Sequence, residues 1–206
     1  MTKDIMNRAY ITPKRIVTKY AGCKNNLIKD EHYLLERGNG QSEMNRKKCC
    51  IMTSTETEKA SLLLDFGSEL HGGLKLVMGS SSRREPSLVR IRFGESVGEA
   101  NSTTSNTEWK VGFSTDDHAK RDIIMEIPRD GMIEIGNTGF RFVRLDLLQN
   151  NATISLKEIS AILRYRDIPY LGSFECNDQR LNKIWITGAY TCLLYTSPSP
   201  RDSTSS

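Results

Sequence analysis

The stretch LVRIRFGESVG, residues 88–98, decides how this chain folds. Its first half alternates. Leu88, Arg90 and Arg92 fall on one side of an extended backbone and Val89, Ile91 and Phe93 on the other, the period of a strand with one buried face. Its second half, GESVG, has the G-x-S-x-G spacing of a nucleophile elbow, and His71-Gly72-Gly73 upstream has the form of a turn that supplies oxyanion donors. If the elbow is real, Ser96 sits between a parallel strand and a helix, and the fold is α/β. If it is not, the two glycines serve a strand exit and the fold is β.

The residues that follow favour the second reading. EANSTTSNTEW, residues 99–109, is polar and has no apolar stripe, so no elbow helix is expected, and only His118 follows as a candidate base. Period two continues through the rest of the chain. AYITPKRIV (9–17), ASLLLDFG (60–67) and GLKLVMG (73–79) read as strands, the last setting Leu74, Leu76 and Met78 against Lys75 and Val77. RDIIMEIP (121–128) and GMIEIG (131–136) flank Asp130-Gly131, a hairpin signal, and FRFVRLDLL (140–148) follows a turn at Asn137-Thr138-Gly139. ISLKEISAILRYR (154–166) places Ile159, Ala161, Leu163 and Tyr165 on one face of a long strand. Short strands divided by turns, with no amphipathic helix between them, predict an all-β fold, an antiparallel β-sandwich. Asp65-Phe66-Gly67 matches a kinase metal-binding triplet, but the other kinase motifs are missing, and it reads as a strand end before a turn.

Composition narrows the function classes. The 206 residues carry a net charge of +4, with the basic residues scattered among apolar ones as in a strand's solvent face, which argues against nucleic-acid binding. The five cysteines (Cys23, Cys49, Cys50, Cys176, Cys192) show no C-x-x-C pair and no metal-ligand spacing with the three histidines, so reduced thiols are expected, one of Cys49 and Cys50 being buried. No apolar run reaches membrane-spanning length and no signal-peptide core opens the chain, which leaves the compartment open between periplasmic, secreted and cytoplasmic. No cofactor and no metal site are expected, although Asp116, Asp117 and His118, with Arg121 and Asp122, form the densest ionisable cluster. Asn101-Ser102-Thr103 and Asn151-Ala152-Thr153 have the glycosylation-acceptor pattern, and Trp109 and Tyr170 are aromatics able to stack on a sugar.

The pattern changes near the end. In NDQRLNKIWITGAYT, residues 177–191, Asn177 or Asp178 can cap a helix on which Leu181, Ile184, Trp185 and Gly188 recur at helical spacing. CLLYTSPSPRDSTSS, residues 192–206, then breaks off without cap or linker and resembles the translated read-through of a sequencing-library adapter. The expected division is a β-sandwich over residues 1–170, the start of a helical domain over 171–191 and an adapter-derived disordered tail over 192–206.

Five stretches, SLLLDFGSELHGGLKLVMG, VRIRFGESVGEANS, STDDHAKRD, GNTGFRFVRLDLL and EISAILRYRDIPYLGSFECNDQRLNKIWITGAYT, together resemble bacterial α-L-rhamnosidases and related glycoside hydrolases, in order, from about Tyr10 to Thr191. The resemblance implies a β-sandwich ahead of a catalytic α/α-barrel, with residues 174–191 as the barrel's first helix. It implies that the parent is an inverting glycosidase whose acid and base carboxylates lie beyond this chain, leaving no catalytic residue here. The carbohydrate substrate is then met through the missing domain, with no nucleic acid or membrane partner. On this reading loop residues Asp117, His118 and Arg121 are the candidates to reach a substrate cleft. A non-catalytic carbohydrate-binding sandwich is the alternative.

Overall fold

A computed structural model describes residues 6–20, 27–42, 47–82, 84–102, 121–166 and 168–194. Nine strands follow in chain order: β1 (Met6–Ile11), β2 (Arg15–Tyr20), β3 (Ile28–Lys29), β4 (Cys50–Ser54), β5 (Ser61–Ser81), β6 (Ser87–Gly94), β7 (Asp122–Ile127), β8 (Gly131–Leu147) and β9 (Ala152–Arg166). A 3-10 helix spans Glu31–Leu35, and two α-helices, α1 (Val97–Asn101) and α2 (Gln179–Leu194), complete the described elements.

Every strand pair is antiparallel, in the order β3-β4-β9-β5-β8-β6-β7, with β1 on β9 and β2 on β5. Two layers arise because the long strands change partners along their length. Residues 61–65 of β5 lie between β2 and β8, and residues 72–78 lie between β9 and β8. The register of β5 against β8 shifts between Asp65 and Leu70 and again between Gly72 and Leu74, and such bulges bend a strand and raise its twist. Gly72 is obligatory at this corner. Its φ is 149°, and a Cβ there would lie 1.8 Å from the Ile162 carbonyl oxygen.

The layers close on one apolar core. Leu62, Leu64 and Phe66 from the first half of β5 and Leu74, Leu76 and Met78 from the second join Val89, Ile91, Phe93, Leu145, Leu156 and Ile159 in a single cluster. Phe140 belongs to it too, edge-on to Phe66 at 5.9 Å and to Phe93 at 4.9 Å between ring centroids. Each such side chain contributes about 1.5–3 kcal/mol on burial. The alternation in the sequence is therefore the alternation of this core.

The other sheet faces are covered in places, which charge alternation alone did not foretell. Arg92 is 5% exposed and Asp146 6%. Arg92 Nη2 donates to Asp146 at 2.6 Å and Arg144 Nε at 2.8 Å, and the Ser61 hydroxyl also donates to this carboxylate. The covering element is α1, whose Ala100 packs with Leu63, Phe142 and Val17, and whose Asn101 carbonyl accepts from Arg92. Lys75 is likewise buried, 2.7 Å from Glu158. The segment over residues 36–42 lies against this pair, since Gly40 N–H donates to Glu158.

Several boundaries differ from the sequence reading. AYITPKRIV is two strands in two layers, divided at Pro13, which has no N–H for a ladder. ASLLLDFG and GLKLVMG are one strand, as are GMIEIG and FRFVRLDLL; Asp65-Phe66-Gly67 and Asn137-Thr138-Gly139 lie inside β5 and β8, where glycines make bulges rather than reversals. Asp130-Gly131 joins strands that pair elsewhere, β7 with β6 and β8 with β5 and β6, so it carries the chain between layers. Cys49 and Cys50 are both buried, where one was expected to be, and burial pushes the Cys50 thiol up to about 12. The helix after the sandwich is present: Asp178 Oδ1 accepts from Arg180 N–H at 2.8 Å as its cap. It runs past Thr191 to Leu194; residues 195–206 lie outside the described residues.

Candidate functional site

A helix does follow Ser96, and its geometry explains the glycine-serine pattern. Ser96 is the N-cap of α1, with φ −127° and ψ 162°, and its Oγ accepts from Glu99 N–H at 3.1 Å. A nucleophile elbow holds its serine in a strained turn; this serine is in relaxed extended backbone with its oxygen already engaged. The signal was legible, since Ser96-x-x-Glu99 is the spacing of a capping box, although Glu99 Oε2 accepts from Glu95 N–H at 2.9 Å, one residue before the cap. Gly94 allows α1 to settle on β6, because a Cβ there would lie 2.5 Å from Ala100 N. Gly72 and Gly73 pair with Leu163 and Ile162 of β9, so they form part of a ladder and no oxyanion turn.

Of the three loop candidates, Asp117 and His118 lie outside the described residues. Arg121 is described and held on several sides. Its Nε donates to Thr138 Oγ1 at 3.1 Å, its Nη2 to Glu95 at 2.9 Å and its Nη1 to Glu99. It thereby ties the start of β7 to α1 and β8.

Beside it lies Glu69, which the sequence reading did not single out. Burial and then the Glu95 carboxylate push its carboxyl up to about 7, against the opposing pull of Arg121. Its backbone carbonyl accepts the Tyr190 hydroxyl of α2 at 2.7 Å, so this acidic corner meets the sandwich-to-helix junction. Among the described residues no group of His, Cys, Asp and Glu could hold a metal ion.

A groove of about 280 Å³ opens elsewhere on the sandwich, lined by Met6, Arg8, His71, Asn137 and Arg164. Strands β1, β9, β5 and β8 bring these residues together from positions far apart in sequence. Arg8 and Arg164 are direct cross-strand partners. Arg8 is held at 2.5 Å by Glu134, which also accepts the Tyr10 hydroxyl at 2.8 Å. Arg164 Nη1 donates to Asn137 Oδ1 at 3.2 Å. Burial, assisted by the Arg164 charge, lowers the His71 pKa and favours the neutral imidazole. The groove thus offers N–H donors and positive charge.

No protein-family model matches the chain, and no curated protein sequence matches it. Solved structures do. A rhamnosidase from Klebsiella oxytoca with rhamnose bound superposes with a TM-score of 0.63 at 16% identity, over 92% of this chain and 35% of its own. A GH78-family rhamnosidase of Bacillus sp. GL1 gives 0.50 at 18% identity, over 72% of this chain and 14% of its own. A fucose-binding module from Streptococcus pneumoniae gives 0.47 at 10% identity, over 76% of this chain and 96% of its own. The chain spans about a third of the Klebsiella enzyme, and the first two likenesses show a shared fold.

Proposed function

We propose that this chain is the β-sandwich part of a glycoside hydrolase similar to α-L-rhamnosidases, and that it buttresses a helical catalytic domain that α2 begins. The observation that carries the reading is the apolar surface after the sandwich. Leu171 is 96% exposed, and Ile168, Tyr170, Phe174, Leu181, Ile184 and Ile186 are exposed with it. Scattered exposed apolar residues are ordinary, but a run concentrated on one arm and one helix marks a surface made to be covered. Further helices packed on α2 would cover it. The division proposed is sandwich over residues 1–170, helical start over 171–191 and an adapter-derived sequence over 192–206.

The role follows from what the site lacks. Ser96 is a cap, and the Glu69 carboxyl lies in an arginine-tied corner outside the groove. Inverting hydrolysis needs an acid and a base set on opposite sides of a sugar, and in this reading both come from the helical domain. Loop residues Asp117 and His118 remain candidates to reach that cleft, with Arg121 anchoring the loop's end. The test is hydrolysis of nitrophenyl α-L-rhamnoside by the chain to Thr191 and by a longer chain obtained by extending the nucleotide read past that codon. The longer chain is expected to turn over and the shorter not. Turnover by the shorter chain, or none by the longer on any glycoside, refutes the reading.

A carbohydrate-binding sandwich is the second reading, and the donor-lined groove is the observation in its favour. Saturable sugar binding by the chain to Thr191, with no glycosidase in its longer form, distinguishes it.

A further inference from the structure

We infer that the groove between β1, β5, β8 and β9 is a binding site for the carboxylate of an acidic sugar, a uronate.

The first argument is electrostatic. Arg8 and Arg164 stand directly opposite each other in the antiparallel β1–β9 pair. Directly opposite residues share a face with Cβ atoms about 4.5–5.5 Å apart, and like charges there destabilise the sheet. The next pair on that face is Met6 with Arg166, which adds a third guanidinium to the same edge. Glu134 neutralises Arg8 from one side, whereas Arg164 donates to the uncharged Asn137 amide. An anion set between the two guanidiniums would relieve the repulsion and accept from both, in the bidentate manner that arginine favours for carboxylates.

The second argument concerns donors. Arg164 Nε is buried and finds no hydrogen-bond acceptor among the described residues, so the contact of this guanidinium with a ligand falls to its terminal nitrogens, of which Nη1 already donates to Asn137. Asn137 and His71 line the same groove and can bond hydroxyl groups, and Met6 gives it one apolar wall. At about 280 Å³ the space suits one small ring rather than an extended chain. The anion half of the inference stands on these charges alone; the sugar half rests on the glycoside-hydrolase reading above.

The experiment is a titration of the full chain followed by amide NMR, with sodium glucuronate, methyl glucoside and sodium acetate as separate probes. Glucuronate is expected to shift the signals of His71, Asn137 and their neighbours saturably. Methyl glucoside, which lacks the charge, and acetate, which lacks the ring, should each bind about tenfold or more weaker. Arg164→Gln and Arg8→Gln should each weaken glucuronate binding by a similar factor with the folded spectrum retained. Arg8 is the more exposed of the two, so its variant serves if Arg164→Gln fails to fold. Equal binding of methyl glucoside overturns the carboxylate assignment, and equal binding of acetate overturns the sugar assignment. No saturable shift from glucuronate overturns the proposal as a whole, and the turnover assay of the longer chain then decides the hydrolase reading separately.

Discussion

Replacing Lys75 by Met should unbalance the sandwich in a way that depends on pH. Lys75 and Glu158 are 7% and 5% exposed, with Nζ 2.7 Å from Oε1. Glu158 also accepts from Gly40 N–H at 3.0 Å and from Ser160 at 2.5 Å. Burial alone would raise its pKa, but Lys75 and these hydrogen bonds outweigh burial and hold it below the ordinary value. Met keeps the volume and removes the charge, leaving a buried carboxylate without its partner. Breaking such a pair from one side costs about 3–5 kcal/mol. For a chain of this size that corresponds to a fall in Tm of about 6–20 °C. The ammonium also lies 4.3 Å from the Tyr10 ring centroid, and losing that contact adds to the deficit.

The pH dependence separates this account from simple loss of packing. In the wild type the folded pKa of Glu158 is depressed, so its contribution is present above the ordinary carboxylate pKa and is lost as pH falls through the folded value. In Lys75→Met burial is no longer opposed by the ammonium, the folded pKa rises, and acid relieves the penalty by protonating the carboxyl. The gap between the two proteins should therefore narrow from pH 7 towards pH 4. Urea denaturation at several pH values measures it. The double variant Lys75→Met/Glu158→Gln should recover most of the loss at pH 7. A single variant within about 1 kcal/mol of wild type at pH 7, or a deficit that grows in acid, refutes the reasoning.

Ser96→Ala should lower stability by about 1 kcal/mol through loss of the α1 cap while leaving the longer chain's glycosidase activity intact, read by thermal melts and initial rates; a collapse of the rate at unchanged KM would restore the nucleophile. Glu69→Gln should raise Tm at pH 8 and leave it nearly unchanged at pH 4.5, because a carboxyl whose folded pKa is about 7 destabilises the fold as pH rises from the ordinary value through 7. Phe140→Ala should cost about 3–5 kcal/mol, since it opens a cavity between Phe66 and Phe93, and equilibrium unfolding with an unchanged m-value checks it. Amides of α2 in the chain to Thr191 should exchange orders of magnitude faster than those of β5, because Leu181, Ile184 and Ile186 face solvent; equal protection would mean the helix is already fully packed.

Much of the fold was legible because a sandwich imposes a local rule. Val89, Ile91 and Phe93 had to face inward together, and they do, at 0%, 0% and 1% exposure. The same rule marked Ile159 and Ala161 on β9, and the capping residue with helical spacing marked α2. Where glycine interrupted the period, local reading supplied a turn. At Gly67 and Gly136 the backbone bulged and continued, since the partner strand was there to receive it. At Pro13 it broke a run read as continuous and sent its halves to different layers. The capping box at Ser96 was local as well, but a catalytic pattern over the same residues drew the reading away from it.

Alternation, punctuation and capping are properties of neighbours in the chain, and the amino-acid order alone determined from them an antiparallel β body with a helix behind it. Which charged residues are buried depends on what lies over them: α1 on Arg92 and Asp146, and the segment carrying Gly40 on Lys75 and Glu158. The groove depends on it even more. Arg8, His71, Asn137 and Arg164 are scattered over more than 150 positions and share a surface only because β1, β5, β8 and β9 are ordered as they are. Strand order follows from the summed packing of the core and not from any one segment, so only the tertiary structure could decide it.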